Sequence, residues 1–293
     1  MTDLTLIETG GTICMEPGPE GLRPSPDRLR AAVAQLAPGL HLHAVALQPL
    51  IDSAEVGPAL WNDLLDRIDA APGPVLITHG TDTMAFTGAA LDAALGGADG
   101  LGQGRAVVLC GSMQALGAGG DAEDNLALAL QAAERATPGL WLAFAGQLLP
   151  AGALTKASST ARAAFVRAGD PAASPRPPAR RYDPALSLAV ITLTPGMTER
   201  ALAASLAGLD GAVLRVFGAG TLPSALARPI EEACAEGCRI VAISQCAHGG
   251  LAPGAYAAGA ALWAAGVENG GLMSPEQALT RLWLRLSDVN PWS

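Results

Sequence analysis

Short apolar runs alternate with stretches of helical spacing along the first half of the chain. Leu4–Glu8, Pro74–Thr78, Ala106–Cys110 and Leu140–Gly146 have the pattern of buried strands. Between them, residues 25–37, 58–70, 83–95 and 122–136 space their apolar side chains at the three- and four-residue intervals of a helix. Strands without polar alternation are buried on both faces, so this β–α alternation predicts a parallel sheet with helices on both sides. Five prolines between 169 and 185 forbid a regular helix there and favour an extended linker. The pattern then resumes, with strands expected at 187–193, 211–217 and 239–244 and helices at 198–207, 223–236 and 275–286. The expected organisation is α/β throughout. A larger N-terminal domain, 1–168, is built on a doubly wound, mainly parallel sheet; a linker, 169–185, leads to a smaller C-terminal α/β domain, 186–293.

Composition narrows the function. A net charge of −9 leaves no basic surface for nucleic acid or for an anionic membrane. The one basic cluster, Arg176, Arg180 and Arg181, falls in the proline-rich segment and reads as solvated linker. Apolar stretches such as 187–193 and 138–145 fall far short of the ~20 residues a membrane helix needs. Met1-Thr2-Asp3-Leu4 has no basic segment leading into an apolar one, so no secretory signal is expected. Five cysteines, an odd number without a dense framework, fit reduced thiols in the cytoplasm. Among 18 basic residues, Lys156 is the only lysine. Arginine keeps its proton at ordinary pH, whereas a buried lysine can release one. Lys156 is therefore a candidate for proton transfer, unless it is simply an exposed lysine.

Ligands of open parallel sheets bind beyond the carboxyl ends of the strands. The residues expected there are Thr9-Gly10-Gly11-Thr12, Asp52-Ser53, His79-Gly80-Thr81-Asp82-Thr83 and Gly111-Ser112. Hydroxyls, glycines and aspartates converge on one edge, and no cofactor or metal motif is needed to explain them. Two glycines before Thr12 allow backbone conformations and approaches closed to other residues. The next segment, 14–27, holds four prolines and two glycines and is long for a strand-to-helix connection, so it reads as a lid or as a surface loop. Thr81 or Asp82 can equally cap the following helix.

Together, Thr9-Gly-Gly-Thr12, Asp52-Ser53, His79-Gly-Thr-Asp-Thr-Met84 and Lys156 resemble the bacterial L-asparaginases, in particular their cytoplasmic type. Further similar segments are Pro49-Leu-Ile-Asp-Ser53, Gly111-Ser-Met113, Asp121 to Asn125, Leu193-Thr-Pro-Gly-Met197, Gly218-Ala-Gly220, Ser244-Gln-Cys246 and Gly271-Leu-Met-Ser-Pro275. The resemblance implies hydrolysis of the side-chain amide of free L-asparagine, with minor glutaminase activity and no cofactor. Thr12 matches the nucleophile; Thr81, Asp82 and Lys156 match the second catalytic threonine and its partners. Asp52 and Ser53, with Thr81 and Asp82, match the substrate-binding residues, Asp82 meeting the α-ammonium and Ser53 the α-carboxylate. It also implies a homodimer or homotetramer with active sites shared between subunits.

Two positions depart from the family pattern. Leu22, in Gly21-Leu22-Arg23-Pro24, stands where the lid carries a tyrosine that orients the nucleophile, and Thr221 stands where an asparagine often follows the glycine. They support an alternative, a catalytically weakened amino-acid-binding regulator of the same fold. A third reading, the amide-supplying subunit of a transfer-RNA amidotransferase, expects an added N-terminal domain for which Thr9 leaves no room. One weaker signal is a loose dinucleotide fingerprint, G-x-G-x-x-A at 117–122, which is not at the first strand and so argues little for nucleotide binding. Another is the Ser244-Gln-Cys246 region, near which some members bind a regulatory asparagine, against the plainer reading of Cys246 as a buried structural thiol. Cys234 and Cys238 read as two buried small residues. His41 and His43 would share a strand face, but without a carboxylate or cysteine nearby they make a poor metal site.

Overall fold

The computed structural model describes residues 2–19, 21–96, 105–135, 137–169, 180–255 and 257–289. Most of the expected linker, 170–179 with Arg176, lies outside them. The chain divides into two compact units, the first running to Arg167 and the second holding the described residues after it.

The first unit is built on a six-stranded sheet. Its strands are β1 (Thr2–Gly10), β4 (Leu40–Ile51), β5 (Val75–Thr78), β6 (Ala106–Cys110), β7 (Gly139–Phe144) and β8 (Gln147–Pro150). They lie in the order β4-β1-β5-β6-β7-β8, and every neighbouring pair is parallel except β7 with β8. Helix α1 (Pro26–Leu36) packs with α4 (Ala122–Glu134), and α2 (Pro58–Ala70) with α3 (Met84–Leu95). Leu29 and Val33 of α1 and Leu126, Ala129 and Leu130 of α4 bury against Leu4, Leu6, Leu76 and Val108 of the sheet.

This is the expected α/β architecture, with three local differences. The run expected at Leu140–Gly146 ends as a strand at Phe144. Ala145 and Gly146 take positive φ, as a tight hairpin turn requires, and send the chain back as β8. Strand β4 outgrows its hydrophobic signal because it is an edge strand. Leu40, Leu42 and Ala44 pack on the core, while His41, His43 and Val45 between them are exposed. The segment 14–27 is not a plain loop: β2 (Met15–Gly18) and β3 (Gly21–Pro24) pair as a hairpin, with an ion pair of 2.7 Å from Arg23 to Glu16. A second small pair, β9 (Leu154–Lys156) with β10 (Phe165–Arg167), closes the unit.

The second unit is a four-stranded parallel sheet of β11 (Leu188–Thr192), β12 (Gly211–Val216), β13 (Arg239–Ser244) and β14 (Glu268–Asn269), in that order. Helices α5 (Glu199–Leu206), α6 (Ala227–Ala235) and α7 (Ala260–Ala264) cover one face through Leu202, Leu206, Ile230 and Leu262. Helix α8 (Pro275–Val289) covers the other, placing Ala278 and Leu282 on Val213, Val241 and Ile243. Among the described residues no helix is long and apolar enough to cross a membrane.

A carboxylate on β1 sits inside the first core. Glu8 of β1 is fully buried, and Arg30 of α1 donates to it twice, at 2.8 and 3.0 Å. A buried carboxylate without its cation is strongly unfavourable. The Arg30 side chain is 39% exposed, so the pair is partly screened. Arg30→Ala should therefore cost about 2–3 kcal/mol, below the ~3–5 of a fully buried pair. Urea unfolding checks this, and a loss under ~0.5 kcal/mol would show that water replaces the arginine.

Candidate active site

At the carboxyl edge of the first sheet, three chain segments are held together by close backbone approach. Thr9 donates from Oγ1 to the Thr78 carbonyl at 2.7 Å, tying the end of β1 to the end of β5. Gly10 has φ 133°, and a Cβ there would lie 2.2 Å from the Ile51 carbonyl oxygen. Gly11 has φ 82°, and a Cβ there would lie 2.4 Å from the Gly80 nitrogen. A Cβ on Gly80 would in turn lie 2.5 Å from Ser53 Oγ. Only glycine fits each position, and the approach gathers the ends of β1, β4 and β5 into one place. Thr12 follows at once, partly exposed, at the start of a short 3-10 turn, Thr12–Cys14.

Behind the Gly80 turn lies a fully buried histidine. Nδ1 of His79 is 2.7 Å from the Gly80 carbonyl. A carbonyl only accepts, so Nδ1 carries the proton, and Nε2 accepts from Thr87 Oγ1 of α3 at 2.9 Å. Burial pushes the imidazole pKa down from 6.5 to about 4, against the raising effect of the Gly80 bond. The ring is therefore neutral at ordinary pH. Helix α3 starts at Met84 with Thr83 in the cap position, and the Thr83 hydroxyl goes to the Ser53 carbonyl at 2.7 Å. Thr81 and Asp82 precede the helix and make other bonds.

Those bonds are to Lys156. Its Nζ donates to Thr81 Oγ1 at 2.8 Å and to Asp82 Oδ1 at 2.7 Å. The lysine side chain is 15% exposed and that of Asp82 72%, so the ion pair runs from the interior to solvent. Two further glycines deliver the lysine. A Cβ on Gly88 of α3 would lie 2.4 Å from the Ala151 carbonyl oxygen, and one on Gly152 would lie 2.3 Å from Asp92 Cγ. The turn 151–153 can therefore rest on α3 and run into β9.

The structure brings Thr81, Asp82 and Lys156 into direct contact and seats Ser53 against Gly80. The Thr12 hydroxyl has no hydrogen bond to that cluster among the described residues. Asp52 is exposed, and its carboxylate accepts from the Ala54 amide at 2.9 Å. The arrangement offers a hydroxyl, Thr81, within reach of an enclosed amine, a carboxylate open to a cation, and a second hydroxyl, Thr12, presented beside backbone amides.

Two groups of supporting residues carried no assigned role in the sequence reading. One is His79. The other is the buried pair Asp121 and Asn125. Asp121 accepts from the Met113 and Gln114 amides at 2.9 and 3.0 Å, and Asn125 donates to the Gly111 carbonyl at 3.0 Å. Together they fix the loop after β6. Their signals in the sequence were the family resemblance of the segment 121–125 and a spacing of one helical turn. Glu123 accepts the Gly117 N–H at 2.5 Å, so its carboxylate sits where a nucleotide reading of 117–122 would need phosphate.

The two departures differ in exposure. Leu22 is exposed on β3. In the second unit, the Thr221 hydroxyl turns back to the Phe217 carbonyl at 3.4 Å. Cys246 is exposed rather than buried, and its amide donates to Ser244 Oγ at 3.0 Å. Cys238 is buried, beyond the end of α6, as expected, whereas Cys234 is half-buried.

Two family models match the chain: Asparaginase, N-terminal, over residues 3–175, and Glutaminase/Asparaginase C-terminal domain over residues 187–291. The chain is 30% identical to the L-asparaginase of Thermococcus kodakarensis over 310 residues, which cover 95% of this chain and 91% of that protein. It is 30% identical to L-asparaginase 1 of Escherichia coli K12 over 312 residues, which cover 95% and 90%. Its structure is similar to that of L-asparaginase I from Vibrio cholerae, with a TM-score of 0.80 at 25% identity, covering 98% of this chain and 93% of that one. The two units and the polar sheet edge thus define an amidohydrolase. The chain belongs to the asparaginase family.

The buried histidine makes stability depend on pH. Between pH 6.5 and about 4 the unfolded chain binds a proton that folded His79 does not. Stability from this site is therefore complete above 6.5 and falls as pH falls, by up to ~1.4 kcal/mol per pH unit. Urea unfolding from pH 7 to 4.5 should show this slope in the parent protein and a shallower one in His79→Gln. Equal slopes would mean that His79 titrates normally.

Proposed function

We propose that the chain is an L-asparaginase that hydrolyses the side-chain amide of free L-asparagine to L-aspartate and ammonia through a threonine acyl-enzyme, with minor activity on glutamine. The observation that carries this reading is the position of Lys156 Nζ, 2.8 Å from Thr81 Oγ1 and 2.7 Å from Asp82.

The substrate α-ammonium pairs with the exposed Asp82 carboxylate, taking it over from Lys156. Ser53, with Asp52 beside it, receives the α-carboxylate. The lysine, freed of that carboxylate, gives one proton to solvent and stands as the neutral amine beside Thr81. Thr12 Oγ1 attacks the amide carbon as its proton passes through Thr81 to the lysine amine. Backbone N–H groups beside the strand-end glycines hold the oxyanion. The C–N bond breaks, and the nitrogen leaves as ammonia with the returned proton. Water then adds to the acyl carbon and releases aspartate and the Thr12 hydroxyl.

We further propose a cytoplasmic enzyme, consistent with five free thiols, that needs no cofactor and works as a homodimer or homotetramer. The segment 169–185 would serve as the linker between its domains. The alternative is an amino-acid-binding regulator; it draws on Leu22, an exposed side chain without a hydroxyl on the lid hairpin. Ammonia release by the purified protein separates the two, since the regulator binds asparagine without turnover.

Loss of the Thr12 hydroxyl should lower turnover by about 10⁴ or more. A Thr12→Ala protein with near-normal turnover would remove Thr12 as nucleophile. Lys156→Arg keeps the positive charge and abolishes deprotonation, so near-complete inactivity is expected with the fold intact by circular dichroism. Substantial activity would reduce Lys156 to an electrostatic partner.

A further inference from the structure

At the amino-terminal end of the first sheet, far from the candidate active site, two imidazoles and a carboxylate converge. Strand β1 pairs with β4 in parallel register, so Asp3 lies opposite His41. His43, two residues on, projects from the same face of β4. The carboxylate that the two histidines lack in their own stretch of sequence comes from the adjacent strand. Asp3 Oδ1 is 2.8 Å from His41 Nδ1 and 3.6 Å from His43 Nε2. The two rings meet edge to face at 4.6 Å between centroids, and one ligand atom from each of the three residues lies within 4.8 Å of the others. All three side chains are exposed, so the group is open to an ion from solution.

We propose that Asp3, His41 and His43 form a binding site for a zinc-class divalent ion. A tetrahedral zinc with bonds of about 2.0–2.1 Å separates its ligand atoms by roughly 3.3 Å. The observed 2.8 and 3.6 Å straddle that value, so rotation of exposed side chains completes the site without moving the backbone. Two imidazoles with one carboxylate favour a borderline transition ion over magnesium or calcium, which prefer all-oxygen sets. Three protein ligands leave the fourth position to water.

Such an ion ties the edge strand β4 to β1. In this sheet β4 is an edge strand paired with β1, so a cross-link adds a second tie to that ladder. Asp3 and Gly10 are seven residues apart on β1, or about 23 Å at ~3.3 Å per residue. The ion therefore acts on the scaffold and leaves the amide chemistry alone.

Isothermal titration of the full chain, stripped of metal by chelation, tests the site with zinc chloride, using magnesium chloride as the control. One zinc per chain and no saturable magnesium binding are expected, with a rise in Tm on adding zinc. The double variant His41→Ala/His43→Ala should weaken zinc binding by at least about tenfold, and Asp3→Asn should weaken it too. Amide hydrolysis in chelator should be unchanged in both. Cobalt(II) added to the parent protein should give the visible bands of a four-coordinate ion, absent from the double variant. Absence of saturable zinc binding, or zinc binding unaltered in the double variant, overturns the proposal.

Discussion

Three chain segments pass closer to one another at the carboxyl edge of the first sheet than any side chain would allow. Gly10 lies against the Ile51 carbonyl, Gly11 against Gly80, and Gly80 against the Ser53 hydroxyl. The two glycines at the end of β1 also hold positive φ, so a methyl group at either would add backbone strain to steric overlap. The positions of Thr12, Ser53 and Thr81 follow from this. Each is adjacent in sequence to a contact that fixes the backbone, so their spacing is set by the sheet rather than by flexible loops. The cost of that precision is a set of backbone groups that must be satisfied away from the ladder. The Thr9–Thr78, Thr83–Ser53 and His79–Gly80 bonds satisfy some of them.

The charges at this edge are arranged by depth. Lys156 is mostly enclosed, and Asp82, its partner, stands in solvent. In the proposed reaction, the group that takes the proton is therefore the enclosed one, and the group that meets the charged substrate is the open one. His79 could have confused that order, since an imidazolium behind Gly80 would repel both the lysine and an incoming ammonium. Burial keeps it neutral, so it supports the turn by hydrogen bonds alone. Fixed dipoles and a single mobile proton are the economical way to stabilise charge that appears only during reaction.

The sequence exposes what is local. Buried strands β5 and β6 carry unbroken apolar runs, and the helices between them keep helical spacing, so the α/β class was legible. Threonines, aspartates and glycines after those strands marked the polar edge for the same reason, because strand ends dictate where such residues must go. Apart from the family resemblance, Lys156 stood out because every other basic residue is arginine; nothing in its own neighbourhood says that Gly88 and Gly152 let its turn settle on α3. The hairpins were harder. Ala145 gives no glycine-like warning of its positive φ, and β3, exposed along its length, has no core-facing stripe to reveal the β2–β3 hairpin. The bonds of Asp121 and Asn125 to the loop after β6 depend on tertiary approach, and neither their one-turn spacing nor the resemblance of their segment reveals them.

The amino-terminal end of the same sheet shows the limit of such reading most clearly. A metal motif is recognisable when its ligands share a stretch of chain, and His41 and His43 alone fall short. Their carboxylate is 38 residues away from His41 in sequence and directly across the ladder in space. Parallel register creates such neighbours in every sheet, and it leaves no periodic trace, because the two strands are joined by a helix and a hairpin with patterns of their own. The rigidity that sharpens the carboxyl edge for chemistry also holds Asp3 and the two imidazoles at fixed spacing. One constraint, strand register, thus sets the geometry at both ends of the sheet.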